Sequence, residues 1–281
     1  MSTIKADFDA LAQRIKMKAE GKKILYIANP GNFGDGLIKY STKTFFDDYD
    51  IEHEEIYVGI NRPWYFLLPF MISAKIKKQD CLFIYGGGGA WCKVYDDGQR
   101  LCTYLDKWGL DYMSLPSTYE KNIDKLKGTL HFRDEFESKN NCPQGHFCHD
   151  MAFYLTTKDS DTIPFHSNQG SGVGILMRTD QESRIGRDQS LPSRNIDIST
   201  LGNHSSNVDQ FFRIVSQYEA IVTDRLHVAI AGVILGKKVD LFTGSYFKIR
   251  RIYESSIAPY FDSITMHGDE VNLEKFLEGK K

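Results

Sequence analysis

The sequence lacks the features that mark several classes of protein. Its net charge is only -2 at pH 7, so no overall field favours nucleic acid, and any anion site must be local. No apolar run reaches the ~18 residues that a membrane span requires. The polar first 23 residues contain no apolar core of a secretory signal. The five cysteines, odd in number and irregular in spacing, indicate free thiols in a reducing cytoplasm, so we expect a cytoplasmic protein.

What the sequence does contain is a regular alternation of short apolar runs and amphipathic segments. The apolar runs of the first half lie at residues 23–30, 54–60, 80–91, 129–136 and 146–155. A helix from Leu37 follows the first run, and a polar segment at 156–172 is the best linker candidate before a second alternating set. Alternating strands and helices are typical of parallel βαβ units. We predict an α/β fold of two Rossmann-like, doubly wound domains facing a cleft, at residues 1–160 and 161–281. An alternative arrangement has the last helix pack back on the first domain.

Glycines and polar or charged residues follow the carboxyl ends of the predicted strands. In doubly wound sheets ligands lie beyond these ends, so all these residues are predicted to line the same edge. They are Gly31, Asn32, Gly34, Asp35, Gly86, Gly87, Gly88, Gly89, Arg133, Asp134, Arg178, Thr223, Asp224, Arg225 and His227.

Six stretches, taken in order, resemble the motifs of polysaccharide pyruvyl transferases. They are NPGNFGDGLI (29–38), FIYGGGGAW (83–91), HFRDEFES (131–138), HDMAF (149–153), GILMR (174–178) and TDRLHVAIAGVILGKKVDLF (223–242). The last, with its DRLH segment, is the most specific. The resemblance implies a GT-B-like fold and transfer of a pyruvyl group from phosphoenolpyruvate to two hydroxyls of a sugar, giving a cyclic ketal, with no cofactor. One departure is that His149 and Met151 flank Asp150 where the family more often has proline.

The chemistry implied by this resemblance suits the residues at the strand ends. Phosphoenolpyruvate is strongly anionic, and arginine matches its carboxylate or phosphate with two parallel hydrogen bonds. A helix N-terminus adds attraction for phosphate, and histidine with aspartate can move the protons of ketal formation. The predicted catalytic residues are His227, Arg225 and Asp35; the predicted donor contacts are Arg178, Arg225, His227 and Thr223; the predicted acceptor or cleft residues are Asn32, Asp35, Gly86, Gly87, Gly88, Arg133 and Asp150.

Each of these residues also has a structural interpretation. Asp224 is suited to cap the following helix and hold Arg225, and Asp35 is suited to be a helix N-cap. An arginine at a strand end, such as Arg178 or Arg225, is often part of a structural ion pair. The glycine run relieves strain in a tight turn, and His227 in an apolar helix fits a core histidine. Two other functions stay open: a GT-B glycosyltransferase that uses a nucleotide sugar, and a non-catalytic glycan-binding protein of the same fold.

One short stretch, CPQGHFCHD, resembles a set of zinc ligands. Cys142, His146, Cys148 and His149 lie within eight residues. No second pair of such ligands accompanies them, and neighbouring residues of a strand point to opposite faces. We therefore predict no metal site.

The aromatic and basic segment at residues 61–78 allows two interpretations. Its prolines break any long helix, which fits a buried helix under the sheet. Alternatively, Trp64, Tyr65 and Phe66 enter a membrane interface while Lys75, Lys77 and Lys78 face anionic lipid. The resemblance favours this peripheral contact with the cytoplasmic membrane face, because glycan acceptors of surface polysaccharides are commonly lipid-linked. The acceptor sugar is left open.

Overall fold

The chain divides into two compact units. The computed structural model describes residues 3–58, 67–76, 80–93, 95–163, 170–185 and 190–279. The first unit comprises Met1–Gly31 and Ile38–Tyr154, and the second comprises Asn32–Leu37 and Leu155–Lys281. The domain boundary predicted between residues 160 and 161 stays a prediction.

The first unit is built around a parallel sheet. Its elements are α1 (Ile4–Lys18), β1 (Lys23–Ile27), most of α2 (Phe33–Asp48), β2 (Glu54–Glu55), α3 (Leu68–Ile76), β3 (Cys81–Tyr85), α4 (Asp97–Lys107), β4 (Asp111–Ser117), β5 (Thr129–Phe132), α5 (Glu137–Asn141) and β6 (His146–Phe147). The described strands run in the order β2-β1-β3-β4-β5-β6, and all pairs are parallel. Every residue of β3 is buried, as expected for a central strand covered on both faces.

The second unit contains a smaller parallel sheet. Its elements are β7 (Val173–Ile175), α6 (Val208–Ser216), β8 (Ala220–Thr223), α7 (Leu226–Ile234), β9 (Lys238–Phe242), α8 (Lys248–Ile252), β10 (Ile264–His267) and α9 (Leu273–Glu278). The described strands run in the order β10-β9-β8-β7, again all parallel. The α/β class with parallel sheets is therefore confirmed.

Two local predictions are wrong, and one strand was not predicted. Helix α2 begins at Phe33 rather than Leu37, because Asn32 and Asp35 satisfy the free N–H groups of its first turn. The run 146–155 is a strand only at His146–Phe147 and then a 3₁₀ helix, Met151–Thr157, because Asp150 accepts a hydrogen bond from the backbone N–H of Ala152. Strand β4 was not predicted at all, since Pro116 lies inside it.

The segment proposed to touch a membrane is described only in part. Trp64, Tyr65, Phe66, Lys77 and Lys78 lie outside the described residues, as does the side chain of Lys75. In the described part, α3 buries Met71 but leaves Phe70 and Ile72 exposed. No helix of the described residues is long and apolar enough to span a bilayer. Peripheral contact with a membrane stays a prediction.

Candidate functional site

Two arginines follow neighbouring strands of the second sheet. Strands β7 and β8 pair with Ile175 opposite Val222, so Arg178 and Arg225 emerge at the same edge. Both side chains are buried, with 5% and 7% of the residue exposed. Arg225 is the N-cap residue of α7 and has extended backbone geometry. The sheet thus delivers two guanidinium groups to one edge, as the sequence predicted.

Thr223 fixes the turn between β8 and α7. Its hydroxyl donates to the carbonyl of Leu176 over 2.7 Å and accepts from the backbone N–H of Arg225 over 3.0 Å. Because both hydrogen bonds are internal and the residue is fully buried, the side chain serves to position the backbone of Arg225. A direct contact of Thr223 with the donor stays a prediction.

Arg225 is held by a two-pronged ion pair with Asp197. Its Nε donates to Asp197 Oδ1 over 2.6 Å and its Nη2 to Oδ2 over 2.7 Å. Asp197 is itself fixed by the backbone N–H and hydroxyl of Thr179, both at 2.8 Å. Burial alone would raise the pKa of Asp197, but the hydrogen bonds from Arg225 and Thr179 lower it to about 2. Asp197 is therefore ionised at neutral pH and sets the plane of the guanidinium.

Arg178 has a second pair of carboxylates. Its Nε donates to Asp180 Oδ1 over 2.8 Å and its Nη2 to Asp180 Oδ2 over 3.0 Å. Glu182 Oε2 lies 2.5 Å from the same Nη2 and 2.8 Å from Lys248 Nζ. Burial opposes ionisation of Glu182, but Lys248 and Arg178 lower its pKa to about 2. Asp180 Oδ2 also accepts from Arg225 Nη2 over 2.9 Å, which links the two arginines.

Asp224 does not pair with Arg225 and does not cap α7, so that structural interpretation of the DR pair is wrong. Its Oδ1 accepts from the backbone N–H of Arg178 over 2.7 Å, and its Oδ2 accepts from Ser183 Oγ over 3.3 Å. Burial raises the pKa of Asp224 to about 6, and the hydrogen bond from Arg178 offsets only part of this effect. Asp224 therefore holds the loop after β7 against the loop after β8.

His227 packs against the first turn of α2, which belongs to the second unit. A Cβ at Gly34 would lie 2.5 Å from His227 Nδ1, so the ring approaches a backbone that only glycine permits. Asn32 Oδ1 accepts from the N–H of Gly34 over 2.8 Å, and Asp35 Oδ2 accepts from the N–H of Asn32 over 2.9 Å. These two bonds form a capping box in which Asn32, not Asp35, is the N-cap.

The first turn of α2 is anchored within the second unit by an aromatic contact. The rings of Phe33 and Phe211 lie edge to face with centroids 5.2 Å apart. Asn32 also forms a β-bridge with Asn203. Three predicted site residues from distant parts of the sequence, Asn32, Asp35 and His227, thus belong to one unit.

The glycine run after β3 makes a tight turn in the first unit. Gly87 and Gly88 have φ values of 78° and 100°, which side chains rarely adopt. The N–H of Gly88 donates to the carbonyl of Pro116 over 3.0 Å. A Cβ at Gly87 would lie 2.6 Å from the same oxygen, and one at Gly86 would lie 3.1 Å from the backbone of Ala28. The steric interpretation of these glycines therefore holds, while contact with an acceptor stays a prediction.

Arg133 and Asp150 form a buried ion pair in the first unit. The Nη1 of Arg133 donates to Asp150 Oδ2, its Nε donates to Thr118 Oγ1 over 2.8 Å, and both charged side chains are 1% exposed. Asp134 accepts from the backbone N–H of Ser138 over 3.0 Å and so supports the start of α5. These contacts join the loops after β5 and β6, and a role of Arg133 or Asp150 toward the acceptor stays a prediction.

The zinc-like residues have other neighbours. His149 Nε2 lies 3.1 Å from Asp7 Oδ2, and the thiol of Cys148 donates to the carbonyl of Asp7 over 3.7 Å. The ring of His146 lies beside that of His131, with centroids 5.7 Å apart. Among the described residues no group of three His, Cys, Asp or Glu side chains is arranged to hold a metal ion.

The family is settled by comparison with known sequences. A family model described as polysaccharide pyruvyl transferase matches residues 32–239. The chain belongs to the polysaccharide pyruvyl transferase family. It is therefore an enzyme, a transferase of polysaccharide pyruvylation, and the assignment from its motifs is confirmed. Among curated proteins, a search finds no significant match to this chain.

Solved structures resemble this family member at low sequence identity. A functionally uncharacterised protein of Klebsiella pneumoniae is 24% identical with a TM-score of 0.72, over 95% of this chain and 99% of that chain. UDP-GlcNAc 2-epimerase of Methanocaldococcus jannaschii, solved with UDP-GlcNAc and UDP, is 12% identical with a TM-score of 0.48, over 91% of each chain. The first likeness shows a shared fold.

Sequence reasoning missed the acidic partners of the arginines in this family member. Asp180 and Glu182 follow Arg178 at a spacing of two and four residues. This spacing could have predicted that they pair with the arginine. Asp197 and Lys248 are distant in the sequence from the arginines, and no local pattern marks them. These charged partners set the positions of both guanidinium groups at the edge of the second sheet.

Proposed function

We propose that the enzyme transfers a pyruvyl group from phosphoenolpyruvate to two hydroxyls of a sugar in a surface polysaccharide or its precursor, forming a cyclic ketal. The observation that carries the proposal is the position of Arg178 and Arg225, whose guanidinium groups contact one and the same oxygen, Asp180 Oδ2. Two cations around one oxygen form a site for a carboxylate or phosphate. Family membership supplies the pyruvyl chemistry.

The reaction requires two proton transfers and the departure of phosphate. One sugar hydroxyl adds to C2 of the donor and its proton moves to the methylene carbon, which becomes a methyl group. The second hydroxyl then displaces phosphate, which takes the remaining proton. We assign phosphate stabilisation to Arg178 and Arg225, since charge-assisted hydrogen bonds to a departing anion strengthen in the transition state. His227 and Asp35, which lie at adjoining helix starts, are assigned to the protons.

The proposal also assigns the two units, the acceptor and the requirement for cofactors. The two units are assigned to a GT-B-like pair, with the donor on the second unit and the glycan on the side of Gly86, Gly87 and Gly88. No metal or other cofactor is required by this chemistry. The glycan acceptor, in free or lipid-linked form, and contact of residues 61–78 with the cytoplasmic membrane face belong to the proposal as well.

Thermal unfolding with candidate donors tests the proposal. A ligand at 100 times its dissociation constant stabilises a protein by about 2.7 kcal/mol, which is readily seen as a rise in Tm. Phosphoenolpyruvate is expected to raise the Tm, and UDP and UDP-sugars are not. The reverse pattern would contradict pyruvyl transfer and assign the chain to a nucleotide-sugar glycosyltransferase. No response to either class would also contradict phosphoenolpyruvate as the donor.

A further inference from the structure

A single carboxylate lies between the two arginines of the donor site. Asp180 accepts from Arg178 through both of its oxygens and from Arg225 through Oδ2. We propose that Asp180 occupies the place of the donor anion in the empty enzyme, and that the donor binds by displacing this side chain. The inference rests on the proposed function, and it adds a residue that sets donor affinity.

The three carboxylates of the network differ in how firmly they are held. Asp197 accepts four hydrogen bonds from Thr179 and Ser199 besides those from Arg225. Glu182 is 5% exposed in its side chain and contacts Lys248 and Tyr246 in addition to Arg178. Both therefore have partners that remain when an anion reaches the arginines.

Asp180 is held in a different way. Apart from the arginines, its carboxylate accepts only from the backbone N–H of Glu182, over 3.0 Å, among the contacts of the described residues. Its side chain is 32% exposed, against 5% for Asp197, so it can rotate toward solvent without being buried elsewhere. Burial works against ionisation, but the hydrogen bonds from Arg178 lower the pKa of Asp180, so it is charged at neutral pH.

Charge balance gives the displacement its physical reason. Asp180, Glu182 and Asp197 pair with Arg178, Arg225 and Lys248, so the ion-paired positive and negative charges are equal in number. Asp224, whose pKa is about 6, adds a further negative charge beside Arg178 at neutral pH. A donor that entered with Asp180 in place would bring its negative charge against that carboxylate, which is unfavourable in a partly buried site. When Asp180 swings out, both arginines present N–H groups to one incoming oxygen.

Both arginines are also held in place by other carboxylates, before the donor arrives and after Asp180 has moved. Asp197 continues to fix the plane of Arg225, and Glu182 continues to hold Arg178. The site is therefore organised in advance, and only one side chain has to move. Phosphate and the carboxylate of phosphoenolpyruvate share the chemistry that Asp180 imitates, so inorganic phosphate is a second probe of the same place.

Calorimetric titration of three variants tests the inference. Asp180→Asn and Asp180→Ala remove the competing charge, so both are expected to bind phosphoenolpyruvate and inorganic phosphate about tenfold more tightly than wild type. Asp197→Asn loses the support of Arg225 and is expected to bind both more weakly, with a lower Tm. Asp161→Asn is the matched control, because Asp161 is an exposed carboxylate whose described hydrogen bond comes from the hydroxyl of Ser160; its affinity is expected to be unchanged.

The outcomes separate the inference from the proposed function. If wild type binds phosphoenolpyruvate and both Asp180 variants bind it equally or more weakly, Asp180 supports the arginines and the displacement is wrong, while the donor assignment stands. If neither wild type nor any variant binds phosphoenolpyruvate, the donor assignment fails and the inference fails with it. Equal tightening in the Asp161 control would show a general effect of net charge and would also overturn the inference.

Discussion

The proposed role of Arg225 depends on the planar, two-pronged geometry of its guanidinium group. A lysine at this position keeps the positive charge but loses the second, parallel hydrogen bond and the fixed plane. Loss of one contact that strengthens as phosphate leaves is expected to reduce the rate of pyruvyl transfer by about a hundred- to a thousandfold, or about 3–4 kcal/mol. Arg225→Lys is therefore expected to be folded and nearly inactive, as measured by transfer rate and Tm.

Two further variants separate a role of Arg225 in catalysis from a role in stability. Arg250→Lys changes an exposed arginine of α8 and is expected to retain wild-type rate and Tm. Arg225→Ala leaves the buried carboxylate of Asp197 without its cation and is expected to lower the free energy of unfolding by about 3–5 kcal/mol. An Arg225→Lys enzyme with normal activity and a reduced Tm would show that the arginine is purely structural.

Asp224 is expected to make the stability of the fold depend on pH. Its pKa is raised by burial from 3.8 to about 6, so the folded state binds this proton more tightly than the unfolded chain. The contribution of Asp224 to stability is therefore fully present below about pH 4 and is lost as the pH rises through about 6.

The variant Asp224→Asn tests this pH dependence. An asparagine can accept from Arg178 N and donate to Ser183 Oγ without a charge, so Asp224→Asn should gain stability over wild type as the pH rises from about 4 to 7. The gain should approach about 3 kcal/mol, by the usual conversion of a pKa shift into free energy. Denaturant unfolding at several pH values measures it. A difference between the two proteins that does not vary with pH would contradict the assignment.

At the scale of elements, the turn after β3 depends on glycine for two separable reasons. Gly87 combines a positive φ of 78° with a backbone oxygen 2.6 Å from the place of a Cβ, whereas Gly21 has a φ of 69° and nothing within 4 Å. Gly21→Ala is therefore expected to cost about 1–2 kcal/mol of unfolding free energy, and Gly87→Ala a further 1–3 kcal/mol or so from overpacking. Equal losses in the two variants, measured by denaturant unfolding, would show that sterics at Pro116 are unimportant.

The start of α2 is expected to be coupled to His227. In an ordinary helix, alanine is favoured over glycine by about 1 kcal/mol, but at Gly34 its Cβ would meet the imidazole of His227. Gly34→Ala should destabilise the wild type by about 1–3 kcal/mol, and should be neutral or stabilising when His227 is alanine. A double-mutant cycle of unfolding free energies measures this coupling. The same effect of Gly34→Ala in both backgrounds would contradict it.

The elements that sequence reasoning found are those with strong local signals. Strands β1, β3 and β8 are apolar runs that end in turn residues, and this pattern is specific. The run 146–155 misled because it is apolar throughout, so periodicity cannot separate a strand from a helical turn. The early start of α2 was missed because the glycines on either side of Asp35 read as a loop.

The arginines of the candidate site could be predicted from the sequence, but their partners could not. The rule that ligands lie beyond the carboxyl ends of parallel strands selected Arg178 and Arg225 without knowledge of contacts. It could not supply Asp197 or Lys248, because their pairing with the arginines depends on how distant segments return to the sheet. For the same reason it placed Asn32 and Asp35 with the first domain, whereas they cluster with the second unit.

At the scale of the whole molecule, two parallel sheets carry charged residues at the carboxyl ends of their strands, and the two edges differ in character. In the first unit Arg133 and Asp150 are paired and almost fully buried, and the glycines after β3 are required by backbone geometry. In the second unit the arginines share a partly exposed carboxylate. We therefore assign the anionic donor to the second unit.

The most direct test of this assignment is a crystal structure with phosphoenolpyruvate bound. We predict donor density at the carboxyl edge of β7 and β8, with anionic oxygens about 2.8 Å from the guanidinium nitrogens of Arg178 and Arg225 and with Asp180 turned away. Donor density elsewhere on the chain, with both arginines still paired to Asp180, would contradict it.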